Sequence, residues 1–299
     1  VCPSVLLLGE VVMEPEKVVP YFGTLEKPEC HMLYNVTTMA TTWHTVATRD
    51  TTLLRQQLDK AFALPKEYVF LNYLRCHDDI GWGLDYDALS RFGITERSHK
   101  AYLNNFFRGY EGVSISLGEL YNEDPVTGDA RLCGTTASLC GLQTALMAGD
   151  PEAIDLSIRA VVMLHGYMFM QSGIPVLYSG DEIGQLNDES YHSDPHKAVD
   201  SRYLHRGRMD WDAAAQAEIP GTPEHRIFTA LSQLERLRAS EPAFGCDADA
   251  ATIDTGDRAI LSIVRSLNGE QLLGLFNFSN EEKTAHTLRS SGVWQDLLT

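Results

Sequence analysis

Residues 71–83 read LNYLRCHDDIGWG, and this stretch decides how the chain is interpreted. An apolar run ends abruptly in His77, Asp78 and Asp79, and then turns through Gly81 and Trp82. Two adjacent carboxylates repel each other, and neither belongs in an apolar core because burying a charge is costly. We interpret the run as a buried strand that gives the two acids a rigid support, so that they project into a polar pocket at its end.

Three other apolar runs are similar to the one that leads into this motif. Together the four runs predict buried strands at residues 4–8, 31–34, 68–74 and 174–178. Helical patterns lie between them at residues 39–62, 137–147 and 151–171. Continuous apolar strands that alternate with helices are typical of a parallel sheet covered on both faces. The sequence therefore predicts an α/β fold.

A polar group follows each predicted strand. Glu10 follows the first strand, Asn35 the second, the HDD motif the third, and SGDE at residues 179–182 the fourth. In a (β/α)8 barrel the active site lies at the carboxyl ends of several strands. We therefore predict a barrel with these residues at the mouth of its pocket. Glu182 is predicted to brace the turn after its strand rather than to catalyse.

The other segments differ in character from the barrel pattern. Residues 80–136 are rich in Gly, Asn and Tyr, carry a predicted turn at 123–129, and are interpreted as an insertion that shapes the pocket. In the last segment, an Asn268-Gly269 pair between two alternating runs predicts a β-hairpin and a small antiparallel β domain. The predicted divisions are residues 1–79, 80–136, 137–241 and 242–299.

The charge of the chain limits its partners. The 299 residues carry a formal net charge of -17, which argues against nucleic acid or an anionic membrane as a partner because phosphate binding needs a basic surface. A neutral substrate fits this charge. The longest apolar stretch, residues 160–170, is interrupted by His165 and is too short to span a bilayer, so we interpret it as part of a buried helix.

No metal or other cofactor is predicted. The six cysteines form no C-x-x-C pair and show no zinc-type spacing with histidine, so they are interpreted as reduced and mostly buried thiols. The segment 187–197 mixes acids and histidines, but their order fits neither a zinc site nor an EF-hand. We interpret this segment as a solvated acidic loop.

A pair of carboxylates on separate strand ends is the arrangement that cleaves glycosidic bonds. One carboxylic acid protonates the leaving oxygen, while another carboxylate attacks or stabilises the oxocarbenium-like carbon. Glu10 and Asp78 qualify by position. A strand-end acid alone is a weak signal, since many such acids cap a helix or bind a loop amide. The run HDDIGW is far more specific.

The sequence closely resembles the amylosucrases, which are sucrose-using members of the α-amylase superfamily. The resemblance rests on HDDIGW, YNVTTMATTWHTVATRD, TGDARLCGT, GIPVLYSGDEIGQLND and VDSRYLHR, and it runs along essentially the whole chain. It implies that the predicted strands are strands 5 to 8 of a (β/α)8 barrel, with the insertion after strand 7. Residues 1–79 would then hold strands 5 to 7, and residues 137–241 the rest of the barrel.

The resemblance also implies an activity. Amylosucrases transfer the glucosyl unit of sucrose to an α-1,4-glucan and release fructose, with retention of configuration through a covalent glucosyl-enzyme. No nucleotide sugar, metal or other cofactor takes part. Glu10 matches the general acid/base, and Asp78 matches the residue that stabilises the transition state. The substrates implied are therefore sucrose and an α-glucan acceptor.

Four further residues match substrate-binding positions of the amylosucrases. His77 matches a histidine that hydrogen-bonds the glucosyl ring. Asp79 and Arg131 match residues that hold the fructosyl ring or an acceptor sugar. Arg202 matches an arginine that pairs with an aspartate from earlier in the family's chain and closes the floor of the pocket.

The nucleophile of this family is an aspartate in a sequence like R-x-D-A, which residues 1–299 do not contain. We therefore expect the chain to be a carboxyl-terminal fragment that is inactive by itself, with the nucleophile upstream. A sucrose hydrolase, in which water takes the glucosyl group, is an alternative. A non-catalytic carbohydrate-binding remnant is another.

Overall fold

The computed structural model describes residues 4–11, 13, 15–24, 26–286 and 293–298, and it forms two compact units. Unit 1 comprises the described residues of Val1–Asn72, Gly166–Val176 and Ser232–Thr299. Unit 2 comprises Tyr73–His165 and Leu177–Leu231.

The described chain contains short strands, α-helices and 3₁₀ helices. The strands are β1 Leu8–Gly9, β2 Met32–Tyr34, β3 Val69–Asn72, β4 Glu119–Tyr121, β5 Arg131–Cys133, β6 Ile174–Pro175, β7 Asp249–Thr252, β8 Ile260–Leu267 and β9 Glu270–Asn277. The α-helices are α1 Pro15–Val18, α2 Val36–Thr48, α3 Thr52–Phe62, α4 Tyr86–Ser90, α5 Glu96–Phe107, α6 Thr136–Leu139, α7 Leu142–Ala148, α8 Pro151–Met170, α9 Trp211–Gln216 and α10 Pro223–Ser240. Short 3₁₀ helices cover Val19–Phe22, Tyr110–Gly112, Asp181–Ile183, Glu189–Ser193, Ser201–Leu204 and Pro242–Phe244.

Unit 1 contains a four-stranded parallel sheet in the order β1-β2-β3-β6. Leu33 of β2 pairs with Phe70 of β3, and Leu71 of β3 pairs with Ile174 of β6. Each predicted strand run contributes to this sheet, and the predicted α/β fold with a parallel sheet is confirmed. That these strands are half of a (β/α)8 barrel stays a prediction.

The prediction of a buried first strand at residues 4–8 is wrong in two respects. The strand itself is only Leu8–Gly9, and the apolar side chains before it are exposed, with Leu6 at 69%. The physical reason is that β1 is at the edge of the sheet and pairs with β2 alone in the described part of the chain. An apolar composition predicts a buried strand. Burial also requires that other elements of the fold pack over that strand.

The predicted helix 39–62 is two helices, α2 and α3. Arg49 adopts a left-handed conformation with φ of 58° and donates its backbone N–H to Thr45, which ends α2. Asp50 then accepts the backbone N–H of Thr52 at 2.9 Å, where α3 begins. The predicted helix 137–147 is likewise divided into α6 and α7, because Gly141 has a φ of 91°.

The carboxyl-terminal part of unit 1 is an antiparallel sheet in the order β7-β8-β9. Asn268 and Gly269 connect β8 to β9 with φ angles of 52° and 88°. Two successive left-handed residues are the conformation that a type I′ hairpin turn requires. The predicted hairpin and antiparallel β domain are therefore confirmed.

Arg265 of β8 is almost completely buried and is held by backbone oxygens. Its Nε donates to the carbonyl of Ala243 at 2.6 Å, and its Nη1 donates to Met170, the last residue of α8, at 3.3 Å. Burial lowers the pKa of Arg265 to about 10. A guanidinium at the negative end of a helix dipole is stabilising, so Arg265 connects the small sheet to the end of α8.

Helix α8 is long and apolar enough to cross a membrane by length and composition alone. Core helices of soluble proteins pass the same test. Leu164 and Tyr167 are fully buried, and Thr42 of unit 1 donates its hydroxyl to the hydroxyl of Tyr167 at 3.2 Å. These contacts agree with the predicted buried helix.

The described cysteines are free thiols, but most of them are not buried. Cys133 is buried, Cys246 is exposed, and Cys30, Cys76 and Cys140 are intermediate. The prediction of mostly buried thiols is therefore wrong for the described cysteines. Cys2 lies outside the described residues.

Candidate active site

The chain that leads from β3 to the HDD motif is anchored by a buried ion pair. Both Nε and Nη2 of Arg75 lie 2.8 Å from Oδ1 of Asp181, which follows β6 in sequence. The ring of Tyr178 packs against the same guanidinium, with its centroid 4.4 Å from the central carbon. Arg75 thus fixes the backbone just before His77 and Asp78.

Two more side chains surround Asp181. Thr136 donates its hydroxyl to Oδ2 at 3.0 Å, and His165 Nε2 lies 3.8 Å from the same oxygen. His165 donates from Nδ1 to the carbonyl of Val161 at 2.7 Å. Burial alone would raise the pKa of Asp181, but the positive charge of Arg75 and the bond with His165 hold that pKa below its usual range. Asp181 is therefore an ionised carboxylate in the interior of unit 2.

Asp78 lies between two arginines and a histidine. Its Oδ1 accepts from Arg202 Nη1 at 3.3 Å and from Arg206 Nη2 at 3.2 Å. Its Oδ2 lies 3.5 Å from His77 Nε2. The carboxylate is still 38% exposed, so a substrate can reach it.

Arg202 has a second carboxylate partner and an aromatic support. Its Nε and Nη2 donate to Asp200 Oδ1 and Oδ2, each at 2.9 Å, in a bidentate pair. The hydrogen bonds with Arg202 lower the pKa of Asp200. The ring centroid of Tyr121 lies 4.7 Å from the guanidinium carbon. Planar bidentate pairing and stacking are the contacts for which arginine is suited, and they fix its orientation.

Asp79 has a different partner from its neighbour Asp78. Arg131 Nε lies 3.4 Å from Asp79 Oδ2, and the Asp79 side chain is only 11% exposed while Arg131 is 55% exposed. Burial raises the pKa of Asp79, although Arg131 acts in the opposite direction. The two adjacent acids of the motif therefore have separate arginine partners, and this arrangement relieves their mutual repulsion.

The hairpin β4–β5, within residues 80–136, brings Tyr121 and Arg131 to the motif. Tyr121 and Arg131 are directly opposite each other in its register and so point to the same face. Next to the motif, Ile80 exchanges backbone hydrogen bonds with Leu132 at 2.7 and 3.0 Å. The predicted turn at 123–129 closes the hairpin, with Asp124 accepting the backbone N–H groups of Val126 and Thr127. This hairpin therefore contributes two residues to the candidate site.

Glu10 is in unit 1, where it directly follows β1 and is exposed. The other five predicted site residues are in unit 2. The structure brings them together as two groups, His77 and Asp78 with Arg202, and Asp79 with Arg131.

The remaining acidic residues near the strand ends have local structural roles. Glu182 accepts the backbone N–H of Gly180 at 2.8 Å, which confirms that it braces the turn. In the segment 187–197, Asp188 accepts the backbone N–H of Ser190 at 3.0 Å. His192 Nε2 lies 2.8 Å from Glu119 Oε1 of β4. The segment is thus tied to the hairpin rather than fully solvated.

Sequence reasoning did not single out Arg75, Asp181, Tyr121 or Arg206. One signal was available for Arg75, because an arginine directly after an apolar strand run needs a partner when it is buried. The two acids of the SGDE stretch, Asp181 and Glu182, were candidates for that partner. No local pattern pointed to Tyr121 or Arg206.

Comparison with known proteins finds chains of similar sequence and fold. No protein-family profile matches the chain. Among curated proteins, the trehalose synthase of Thermus thermophilus is 24% identical over 226 residues, which is 76% of this chain and 19% of that protein.

Solved structures give the same class of fold. The sucrose 6F-phosphate phosphorylase of Thermoanaerobacter thermosaccharolyticum matches with a TM-score of 0.61 and 17% identity, over 92% of this chain and 48% of that one. The α-amylase of H. orenii matches with a TM-score of 0.52 and 14% identity, over 93% of this chain and 44% of that one. The chain thus spans less than half the length of these proteins. Its fold is that of the solved α-amylase-type enzymes.

Proposed function

We propose that this chain is part of a retaining glucosyl-transfer enzyme of the amylosucrase type, which moves glucose from sucrose to an α-1,4-glucan and releases fructose. One observation carries the proposal. Two adjacent carboxylates follow a strand of a parallel sheet, and each is held by a different arginine. Such a pair can serve two sugar rings at once, with one acid for each ring.

Asp78 is the acid assigned to the glucosyl ring. Positive charge develops at the glucosyl carbon in the transition state, and a fixed, accessible carboxylate stabilises it. Asp78 remains accessible while Arg202 and Arg206 hold its Oδ1. His77, next to it, is assigned a hydrogen bond to a hydroxyl of the same ring.

Asp79 and Arg131 are assigned to the fructosyl ring or to an acceptor sugar. Arg131 faces Asp79 through Nε and is more than half exposed. A guanidinium in this position can donate to two neighbouring hydroxyls, a geometry that arginine favours. Arg202, fixed by Asp200 and Tyr121, is assigned to the floor of the glucosyl pocket.

Glu10 is assigned as the general acid/base, and the nucleophile as an aspartate of an R-x-D-A motif that residues 1–299 do not contain. We also retain the half-barrel interpretation and the division at residues 79, 136 and 241 as proposals. The name of the solved sucrose 6F-phosphate phosphorylase supports a sucrose-type donor, and that of the trehalose synthase supports chemistry at a glucose unit. No cofactor is part of the proposal.

The test is the product formed by the full-length protein from sucrose in the presence of glycogen. We expect equimolar release of fructose and growth of the glucan. Free glucose in place of glucan growth would assign the sucrose hydrolase alternative, and glucose 1-phosphate on addition of phosphate would assign a phosphorylase. Binding of glycogen without any turnover of sucrose would leave only the carbohydrate-binding alternative and would overturn the proposal.

A further inference from the structure

Arg206 contacts the HDD motif at two points, one on the backbone and one on a side chain. Its Nε donates to the backbone carbonyl of His77, and its Nη2 donates to Asp78 Oδ1 at 3.2 Å. Two nitrogens of one rigid guanidinium therefore hold two successive residues of the motif. Nothing in the motifs of the sequence assigns a role to this arginine.

The segment that carries Arg206 is itself fixed. His205 Nδ1 accepts the backbone N–H of Gly134 at 3.2 Å, and the carbonyl of His205 accepts from Arg75 Nη1 at 3.4 Å. The 3₁₀ helix Ser201–Leu204 lies just before it, and the ring centroid of Tyr203 is 5.9 Å from the Arg206 guanidinium carbon. Arg206 thus reaches the motif from a backbone that His205 anchors to Gly134 and to Arg75.

We propose that Arg206 is a positioning residue that fixes the orientation of the Asp78 carboxylate. The inference rests on the proposed role of Asp78 in the glucosyl pocket. Arg202 binds the side chain of Asp78 through Oδ1. Arg206 adds the backbone carbonyl of His77, so the side chain and its supporting peptide are fixed together. A carboxylate that must face a developing charge depends on such preorganisation.

The kinetic test compares Arg206→Gln with Arg208→Gln in the full-length protein. Arg208 is exposed two residues away and makes no ion pair in the described part of the chain, so it is a matched control. For Arg206→Gln we expect kcat to fall roughly tenfold with little change in KM, because a transition-state contact is misplaced. The loss should be equal on sucrose and on glucosyl fluoride, since Asp78 acts whatever the leaving group. Arg206→Lys should recover part of the loss, because it keeps the charge but not the planar fork.

A loss confined to KM or to sucrose would overturn the positioning role, as would equal behaviour of the Arg206 and Arg208 variants. A second measurement does not depend on turnover. Amide hydrogen exchange in the peptide 76–82 should be faster in Arg206→Gln and unchanged in Arg208→Gln, because local opening of this loop becomes easier. If the wild type cleaves neither donor, the proposed function fails. Amide hydrogen exchange in residues 76–82 still tests whether Arg206 holds the motif. Unchanged exchange in Arg206→Gln would then overturn the inference.

Discussion

Arg75 and Asp181 are separated by 106 positions in sequence and form an ion pair in which both side chains are only 2% exposed. The pair joins the residues that precede the HDD motif to the turn that follows β6 within unit 2. Both charged groups have lost their hydration. The hydrogen bond from Thr136 to Asp181 and the contact of the Tyr178 ring with Arg75 replace part of that hydration. The geometry of the candidate site therefore depends on a contact that is itself inaccessible to substrate.

Replacing Asp181 with Asn should strongly destabilise the protein, because it leaves the Arg75 charge buried without a partner. Breaking a buried pair in this way costs about 3–5 kcal/mol. The free energy of unfolding, measured by urea titration with circular dichroism, should fall by that amount. The control is Lys27→Gln, which breaks the exposed pair with Glu29 and should cost less than about 1 kcal/mol. Similar small losses for both variants would show that Asp181 is not the buried partner of Arg75.

Stability should fall with acidification because of His205. Burial, together with the charge of Arg75, lowers the pKa of His205 to about 4, whereas an unfolded histidine titrates near about 6.5. Between these values the unfolded chain binds a proton that the folded chain does not. The contribution of His205 is therefore complete above pH ~6.5 and is lost as the pH falls toward ~4, by up to about 3 kcal/mol.

His205→Asn tests this pH dependence, since the amide oxygen of Asn can still accept the N–H of Gly134. The free energy of unfolding of each protein is measured from pH 7 to pH 4.5. The advantage of the wild type over the variant should shrink through this range. A constant difference at every pH would contradict a depressed pKa at His205.

Glu10→Gln in the full-length protein keeps the shape of the side chain but removes the proton. Cleavage of sucrose should slow at least about a hundredfold, the usual effect of losing a general acid. Formation of the intermediate from glucosyl fluoride should be affected much less, because fluoride leaves with little protonation. Pre-steady-state kinetics with the two donors make the comparison. Equal losses in this first step would count against Glu10 as the acid.

The two acids of the motif should respond differently to replacement. Asp78→Asn should lower kcat and kcat/KM together on every glucosyl donor, because the carboxylate acts in the transition state. Asp79→Asn should mainly weaken the use of sucrose and keep measurable turnover of glucosyl fluoride, which has no fructosyl ring. Steady-state kinetics are measured after folding has been checked by circular dichroism. The reverse outcome would mean that the roles of the two acids are exchanged.

Much of the fold is predictable from the sequence because it depends on local patterns. Each of the four apolar runs contributes a strand to the parallel sheet, although the first and fourth strands are only two residues long, and the Asn268-Gly269 pair forms its turn locally. The break between α2 and α3 is not predictable in this way. Arg49 adopts a left-handed conformation that a non-glycine residue rarely takes, so the surrounding packing decides it.

The candidate site is predictable only in part for the same reason. The HDD motif is visible as a strand end, and its resemblance to a family singles out Arg131 and Arg202. The contacts of Arg75 with Asp181 and of Arg206 with Asp78 join residues more than 100 positions apart. Such residues meet only in the folded chain, and no local sequence pattern predicts contacts between them.

The hairpin of β8 and β9 has a consequence for the order of folding events. Its eight residue pairs, from Ile260 with Asn277 to Leu267 with Glu270, close on a two-residue turn. Hairpins of this kind form in about 1–10 μs, whereas distant pairings form later because closing a long loop costs entropy. Pulse-labelled amide exchange during refolding should therefore protect residues 260–277 before residues 69–72, whose partners on β6 lie about a hundred positions away. Protection of the parallel sheet first would reverse this order. In the expected order, this hairpin is the nucleus on which the rest of unit 1 assembles.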